Sequence, residues 1–108
     1  MSSPFNLKQV LKEYHIRLLE ILGGDLDSVL LYGSQARDEA RAGSDIDVLC
    51  IMKTSFEYGD LISRTSLATA EISLKHDVVI SRVFVTRAAY TSQDSPFLMN
   101  VHKEQVAV

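Results

Sequence analysis

The sequence predicts a single α/β domain over residues 1–108, and three observations support this fold class. The chain has 108 residues, which is close to the size that one hydrophobic core organises. Its hydrophobic fraction of 46% and its charged fraction of 23% are those of an average globular protein. Helical and strand patterns alternate along the chain without a long polar linker or an internal repeat. We therefore expect one compact unit in which helices pack on a small sheet.

Composition and charge exclude several classes of protein. The formal net charge of -3 argues against a domain that holds a nucleic-acid backbone through bulk positive charge, so we expect no direct nucleic-acid binding. Cys50 is the only cysteine, which excludes a disulfide framework and a cysteine-based zinc cluster within one chain. No stretch approaches the roughly 18 apolar residues of a membrane helix, and the N-terminus lacks a signal-peptide pattern. The expected location is the cytoplasm, without membrane contact.

The first predicted elements are an amphipathic helix and a buried strand. The helix is expected to begin near Pro4, with Ser3 as its N-cap, and to end before Gly23 and Gly24. Its apolar residues recur at steps of three and four, which is typical of one buried helix face. These residues are Leu7, Val10, Leu11, Tyr14, Leu18, Ile21 and Leu22. The apolar run over 28–32 is too short for a buried helix and predicts an interior strand.

Further elements continue the α/β order. They are a short helix over 35–41, a strand over 45–52, a helix over about 60–75 and a strand over 77–86. Good helix formers support the first helix, and helical spacing of apolar residues supports the second. β-branched residues favour the last strand. Pro96 after a candidate N-cap at Ser95 predicts a final helix.

The residues suited to catalysis lie between Gly33 and Asp47. A glycine lets a ligand approach the backbone closely, and Ser34 follows it at the start of a predicted helix, where free N–H groups attract an anion. Asp45 and Asp47 are two residues apart on a predicted strand, so both carboxylates face one side and suit a divalent cation such as Mg²⁺. Attack on a nucleoside triphosphate requires such a phosphate-binding site beside a metal-binding site. Ser44 is expected to cap the preceding turn and orient Asp45.

The spacing of these residues resembles a known family. A Gly-Ser pair alone is common in turns, and an Asp-x-Asp pair alone is common at strand ends. Residue frequencies give roughly a one in a thousand chance of finding both at this separation in so short a chain. Gly33-Ser34, separated by ten residues from Asp45 and Asp47, resembles the signature of the DNA polymerase beta-like nucleotidyltransferases. The chain is similar in length and element order to the minimal members, the MNT antitoxins, over about residues 5–105.

The resemblance implies a mixed sheet packed with helices and a particular reaction. Such antitoxins use two Mg²⁺ ions and ATP to transfer AMP to a tyrosine of a HEPN-domain RNase toxin, which is the expected partner in a hetero-oligomer. Asp77 matches the third carboxylate of the family and is expected to bind metal or take the proton of an attacking hydroxyl. The implied catalytic and metal-binding residues are Asp45, Asp47 and Asp77. The implied nucleotide-binding residues are Gly33, Ser34, Arg37 and Ser44.

Two observations bear on the acceptor and on the nucleotide. A chain of this size leaves little room for an acceptor-binding domain, so the acceptor is expected to arrive on another molecule. Asp38 stands where relatives commonly have glycine, and there is no basic tail to clamp a triphosphate. Arg37 is the best internal candidate for phosphate contact, and a helix-surface arginine without a ligand is the alternative.

Two other functions stay open at this point. In the first alternative, the chain is an antitoxin that blocks its toxin by binding alone. In the second, it is a nucleotidyltransferase subunit that acts on a small molecule such as an antibiotic, and the small size of the chain disfavours this second alternative. Partner binding predicts an exposed apolar surface on the first helix and over residues 97–99. Lys75 and His76 are interpreted as solvated strand-entry residues, and Cys50 as a small buried hydrophobe.

Overall fold

A computed structural model describes residues 7–32, 45–93, 95–104 and 106–108. Within these ranges the main elements follow the order helix, strand, strand, helix, strand, helix, helix, strand, and a short 3₁₀ turn at Gly23–Asp25 separates the first helix from the first strand. The elements are α1 Leu7–Leu22, β1 Leu26–Tyr32, β2 Asp45–Met52, α2 Tyr58–His76, β3 Val79–Thr86, α3 Arg87–Ser92, α4 Pro96–Glu104 and β4 Val106–Ala107. None of the described helices is both long enough and apolar enough to cross a membrane.

The described strands form a mixed sheet in the order β3-β2-β1-β4. β1 pairs antiparallel with β2 and with β4, whereas β2 pairs parallel with β3. A parallel pair needs a crossover connection, and α2 provides it between β2 and β3. This arrangement confirms the predicted fold class, and β1 is an interior strand as predicted, with β2 beside it as a second interior strand.

β2 contributes side chains to two unlike faces of the sheet, because successive side chains of a strand point to opposite sides. The helix-covered face of β2 consists of Ile46, Val48, Cys50 and Met52, which are at most 2% exposed. The carboxylate face of β2 consists of Asp45, Asp47, Leu49 and Ile51. The helix-covered face packs with α1 and α2 in the larger of two cores. The apolar part of the carboxylate face packs with α3 and α4 in a smaller core.

α1 and α2 lie antiparallel to each other on the helix-covered face. Arg17 Nη1 lies 2.9 Å from Glu71 Oε1, and Arg64 Nη2 donates to the carbonyl of Ile21 at 2.9 Å. The contacts therefore advance along α1 while they retreat along α2. Because both helices press an apolar stripe against the sheet, these polar contacts lie at the solvent-facing side of the pair.

The structure shifts some predicted boundaries. β3 begins at Val79, two residues later than predicted, because Asp77 is the left-handed C-cap of α2, with φ 55°. The second strand has the predicted bounds. The last helix begins at Pro96, and Ser95 Oγ accepts from the Leu98 N–H at 3.3 Å, which confirms the predicted N-cap.

Two elements were missed by sequence reasoning. Thr86 ends β3, and its side chain also caps α3 by accepting from the Ala89 N–H, so one residue serves two elements and no linker marks the boundary. β4 has two residues, which is too short for any periodicity to be visible. The predicted helix start near Pro4 and the predicted helix over 35–41 lie outside the described residues.

Candidate active site

Asp45 and Asp47 open β2 on the carboxylate face. Asp45 is exposed and Asp47 is half-buried, so the pair lies where the sheet meets solvent rather than in the core. In the parallel register, Asp45 is opposite Val79 and Asp47 is opposite Ser81 of β3. Both β3 residues are exposed. This end of the carboxylate face is therefore accessible to a ligand.

The electrostatics of the pair favour a bound cation. Burial raises the pKa of Asp47 above its ordinary value, and the negative charge of Asp45 raises it further. Among the described side chains, neither aspartate forms a salt bridge. A divalent cation would relieve the repulsion, and Mg²⁺ is commonly held by one or two carboxylates together with substrate phosphates. The donor set of the pair therefore fits Mg²⁺.

Asp77 lies at the junction of α2 and β3. It is exposed, has φ 55° and ψ 51°, and donates its N–H to the Ser73 carbonyl. Because β2 and β3 are parallel and Val79 lies opposite Asp45, the chain passes from Asp77 into the sheet at the end that carries the carboxylate pair. Within the described ranges, no group of three or more His, Cys, Asp or Glu side chains is arranged to hold a metal ion. The three-carboxylate metal site therefore stays a prediction.

The predicted nucleotide-binding residues lie outside the described part of the chain. They are Gly33, Ser34, Arg37 and Ser44. The strand ends on either side of them are defined, since Tyr32 closes β1, Asp45 opens β2, and Tyr32 pairs with Asp47 across the two strands. The chain therefore leaves β1 and enters β2 beside the carboxylate pair. The phosphate-binding site expected at Gly33 and Ser34 stays a prediction.

An aromatic pair borders the carboxylates, and sequence reasoning did not assign it to the site. The ring of Tyr32 packs edge-to-face on Phe97, with ring centroids 5.4 Å apart. As the cross-strand partner of Asp47, Tyr32 lies on the carboxylate face. Burial raises the pKa of Tyr32, and the charge of Asp47 adds to the effect. The available sequence signal was the position of Tyr32 directly before Gly33.

Three other residues considered for chemistry either are buried and inert or have structural partners. Cys50 is fully buried, and burial raises the pKa of its thiol to about 12, which confirms the small buried hydrophobe. Lys75 and His76 are not strand-entry residues, because α2 extends to His76. Both contact Glu13 of α1 instead.

Exposed apolar side chains occur where partner binding was expected. Ile16 and Leu19 on α1 are 47% and 45% exposed, and Phe97 and Met99 on α4 are 39% and 50% exposed. Leu98, between the latter two, is buried in the smaller core. Parts of α1 and α4 therefore present apolar surface that this chain does not cover.

Comparisons with known proteins bear on the family. The family described as "Nucleotidyltransferase domain" matches residues 10–93. A Methanocaldococcus jannaschii protein named "putative protein adenylyltransferase" is 32% identical over 84 residues, which covers 78% of this chain and 84% of that protein. Both matches agree with the resemblance carried by the glycine-serine and aspartate motifs.

Two solved structures share the fold. One, described as a "putative minimal nucleotidyltransferase", has a TM-score of 0.64 at 18% identity and covers 99% of this chain and 100% of its own. The other comes from a complex of tri-AMPylated Shewanella oneidensis HEPN toxin with MNT antitoxin. It has a TM-score of 0.53 at 14% identity, covering 94% of this chain and 71% of that one. The structural likeness concerns the fold, whereas the sequence match spans most of the chain, which therefore belongs to the nucleotidyltransferase domain family.

Proposed function

We propose that this nucleotidyltransferase is an antitoxin that transfers AMP from ATP to a tyrosine of a cognate HEPN-domain RNase toxin in a Mg²⁺-dependent reaction. The observation that carries the proposal is the pair Asp45 and Asp47 at the accessible end of β2 in a chain of this family. The choice of acceptor is supported by one relative named for protein adenylylation and by a fold neighbour from a complex that contains an AMPylated toxin.

The proposed reaction is an in-line substitution at phosphorus. The acceptor hydroxyl oxygen forms a bond to the α-phosphorus of ATP, the bond from that phosphorus to the oxygen bridging to the β-phosphate breaks, and pyrophosphate leaves. Asp77 takes the proton of the attacking hydroxyl. Asp45 and Asp47, with Asp77 as the third carboxylate, would hold Mg²⁺, which supplies positive charge that neutralises the phosphates when bound.

Nucleotide binding falls to the segment between β1 and β2 in this proposal. Backbone N–H groups at Gly33 and Ser34 hold the leaving phosphates, and Arg37 contacts the same phosphates. Ser44 orients the first aspartate of β2. This assignment is supported by the described strand ends, because the chain leaves β1 and enters β2 beside the carboxylate pair.

A protein acceptor suits the accessible geometry of the pair. Asp45 is exposed and Asp47 is half-buried, so a side chain of another protein reaches them from solvent. Phe97, partly exposed beside Tyr32, offers such a partner an apolar contact at the border of the site. AMP on the toxin would add bulk and negative charge, and would thereby hinder the approach of an RNA backbone.

The direct test is intact mass measurement of the toxin encoded by the neighbouring gene. The toxin is incubated with this protein, ATP and Mg²⁺, and its mass is expected to rise by one or more AMP units. Asp45→Asn and Asp47→Asn are expected to abolish the increase and the neutralisation of the toxin. No mass increase with a correctly folded wild-type protein would overturn the proposal.

Neutralisation by binding alone is the second candidate. It is favoured by the exposed apolar side chains of α1 and α4 and by the lack of a three-carboxylate arrangement among the described residues. Under this alternative, the two asparagine variants neutralise the toxin as well as the wild-type protein does. The toxin then keeps its unmodified mass.

A further inference from the structure

Glu13 joins α1 to the last turn of α2 through a single carboxylate. Its Oε1 accepts from Lys75 Nζ and from His76 Nε2, each at 3.0 Å. Its Oε2 accepts from Gln9 Nε2 at 2.7 Å. The Glu13 and His76 side chains are 22% and 15% exposed, so this contact is better shielded from solvent than an ordinary surface ion pair.

The Glu13 contacts act on the residues that lead directly into Asp77. Lys75 and His76 are the last two residues of α2, and Asp77 is its C-cap. The carbonyl of Ser73 accepts from the N–H of Asp77 and from that of Val78, the latter at 3.0 Å. The backbone direction at Asp77 is therefore set by the last turn of α2, which Glu13 fastens to α1.

The conformation of Asp77 makes this fastening important. Its φ of 55° lies in the left-handed region, which an L-residue other than glycine adopts only at an energetic cost. The last turn of a helix frays readily because its carbonyls lack helical partners. Without an anchor, the last turn of α2 would sample several backbone directions, and the Asp77 carboxylate would move with it.

We infer that Glu13 is a positioning residue for the nucleotidyl transfer, because its contacts with Lys75 and His76 hold the backbone at Asp77, where the chain passes into the end of the sheet that carries Asp45 and Asp47. The inference rests on the proposed function, which gives Asp77 its role as proton acceptor and metal ligand. Glu13 itself lies on α1 and contacts neither substrate nor metal in this scheme.

The chain offers a matched control on the same two helices. Arg17 and Glu71 also join α1 to α2, at 2.9 Å, but Glu71 lies six residues before Asp77. Glu13→Ala removes the contacts with the last turn, whereas Glu71→Ala removes an inter-helix ion pair that does not hold that turn. Glu13→Gln keeps an oxygen that can accept from His76 and Lys75, and serves as the conservative variant.

The first measurement needs no activity. Amide hydrogen exchange at Asp77 and Val78 in the free protein reports how often the last turn of α2 opens. We expect Glu13→Ala to speed exchange at these two amides about tenfold, with Glu71→Ala near the wild-type rate and Glu13→Gln in between. Equal exchange rates in Glu13→Ala and Glu71→Ala would overturn the inference, whatever the activity of the protein.

The second measurement is AMP transfer as a function of Mg²⁺ concentration. Glu13→Ala is expected to lower kcat or raise the Mg²⁺ concentration for half-maximal rate by about tenfold, the size of effect typical of residues that orient metal ligands. Glu13→Gln should recover most of the loss, and Glu71→Ala should show none. If the wild-type protein transfers AMP and Glu13→Ala matches Glu71→Ala, the inference is wrong and the proposed function stands. If the wild-type protein transfers no AMP, the proposed function fails and the positioning role in transfer fails with it. The exchange rates then still show whether Glu13 holds the last turn of α2.

Discussion

The two faces of β2 differ in what their side chains do. On the helix-covered face, every second residue from Ile46 to Met52 is apolar and at most 2% exposed. These four side chains lie between the sheet and the two long helices α1 and α2. On the carboxylate face the first two alternate positions are Asp45 and Asp47, and only the later two join a core. The difference teaches that one side of this strand contributes to stability, whereas the other side keeps two carboxylates accessible for the proposed chemistry. Substitutions on the two faces should therefore have separable effects.

The largest expected effect comes from the carboxylate face. Asp45→Asn or Asp47→Asn should lower the rate of AMP transfer by about 100- to 1000-fold, because each removes a charge that would hold Mg²⁺ beside the phosphates in the proposed reaction. The free energy of unfolding should stay the same or rise. The reason is that burial and Asp45 raise the pKa of Asp47, so the charged form of Asp47 is disfavoured in the folded protein. Rates and urea denaturation of the same preparations measure both quantities.

An exposed aspartate outside the site provides the control for this experiment. Asp25 lies in the 3₁₀ turn after α1, and Asp25→Asn should leave both the transfer rate and the stability unchanged. A clear fall in the free energy of unfolding of the Asp47→Asn variant, alongside its fall in transfer rate, would contradict the separation of the two faces.

The opposite outcome is expected in the larger core, which packs on the helix-covered face. Leu18 of α1 is fully buried in the larger core, and Leu18→Ala should lower the free energy of unfolding by about 2–5 kcal/mol. The transfer rate per folded molecule should be unchanged. Leu19, the next residue, is 45% exposed, and Leu19→Ala should change stability by no more than about 0.5 kcal/mol. Urea denaturation combined with activity measured well below the midpoint distinguishes the two variants.

Sequence reasoning reached the fold and the carboxylate pair because both depend on local patterns. β2 has the predicted bounds, since apolar side chains continue without a break from Val48 to Met52 after the two aspartates. The contacts of Glu13 with Lys75 and His76 join residues 62 and 63 positions apart, and no periodicity reports such contacts. The left-handed Asp77 was equally hidden, because glycine is the usual residue at that position of a helix end.

One residue should combine the two effects that the faces separate. Asp77 is the left-handed C-cap of α2, and Gln93 is the left-handed C-cap of α3, with φ values of 55° and 53°. Asp77→Gly and Gln93→Gly should each raise the free energy of unfolding by about 0.5–1 kcal/mol, because glycine adopts this conformation without strain. Only Asp77→Gly should lose AMP transfer. Retained transfer in Asp77→Gly would remove Asp77 from the proposed mechanism while leaving the fold argument intact.

The smallest expected effect concerns acid pH and the contact between α1 and α2. Hydrogen bonds from His76, then from Gln9 and Lys75, lower the pKa of Glu13 from 4.5 to about 2. A carboxyl group whose pKa is lowered by folding stabilises the protein above its ordinary pKa, and this contribution is lost as the pH falls toward the folded value. Wild-type stability should therefore decline between pH 4.5 and about 2 partly through Glu13.

Glu13→Gln isolates this contribution, because it removes the titrating group and keeps the shape of the side chain. The variant should be less stable than the wild-type protein at pH 6, by at most about 1 kcal/mol for a partly exposed group. The two melting temperatures should converge as the pH approaches 2, while Glu71→Gln should follow the wild-type profile. A constant difference between Glu13→Gln and wild type across this range would mean that the carboxylate charge does not fasten α2 to α1. The anchor would then depend on packing alone.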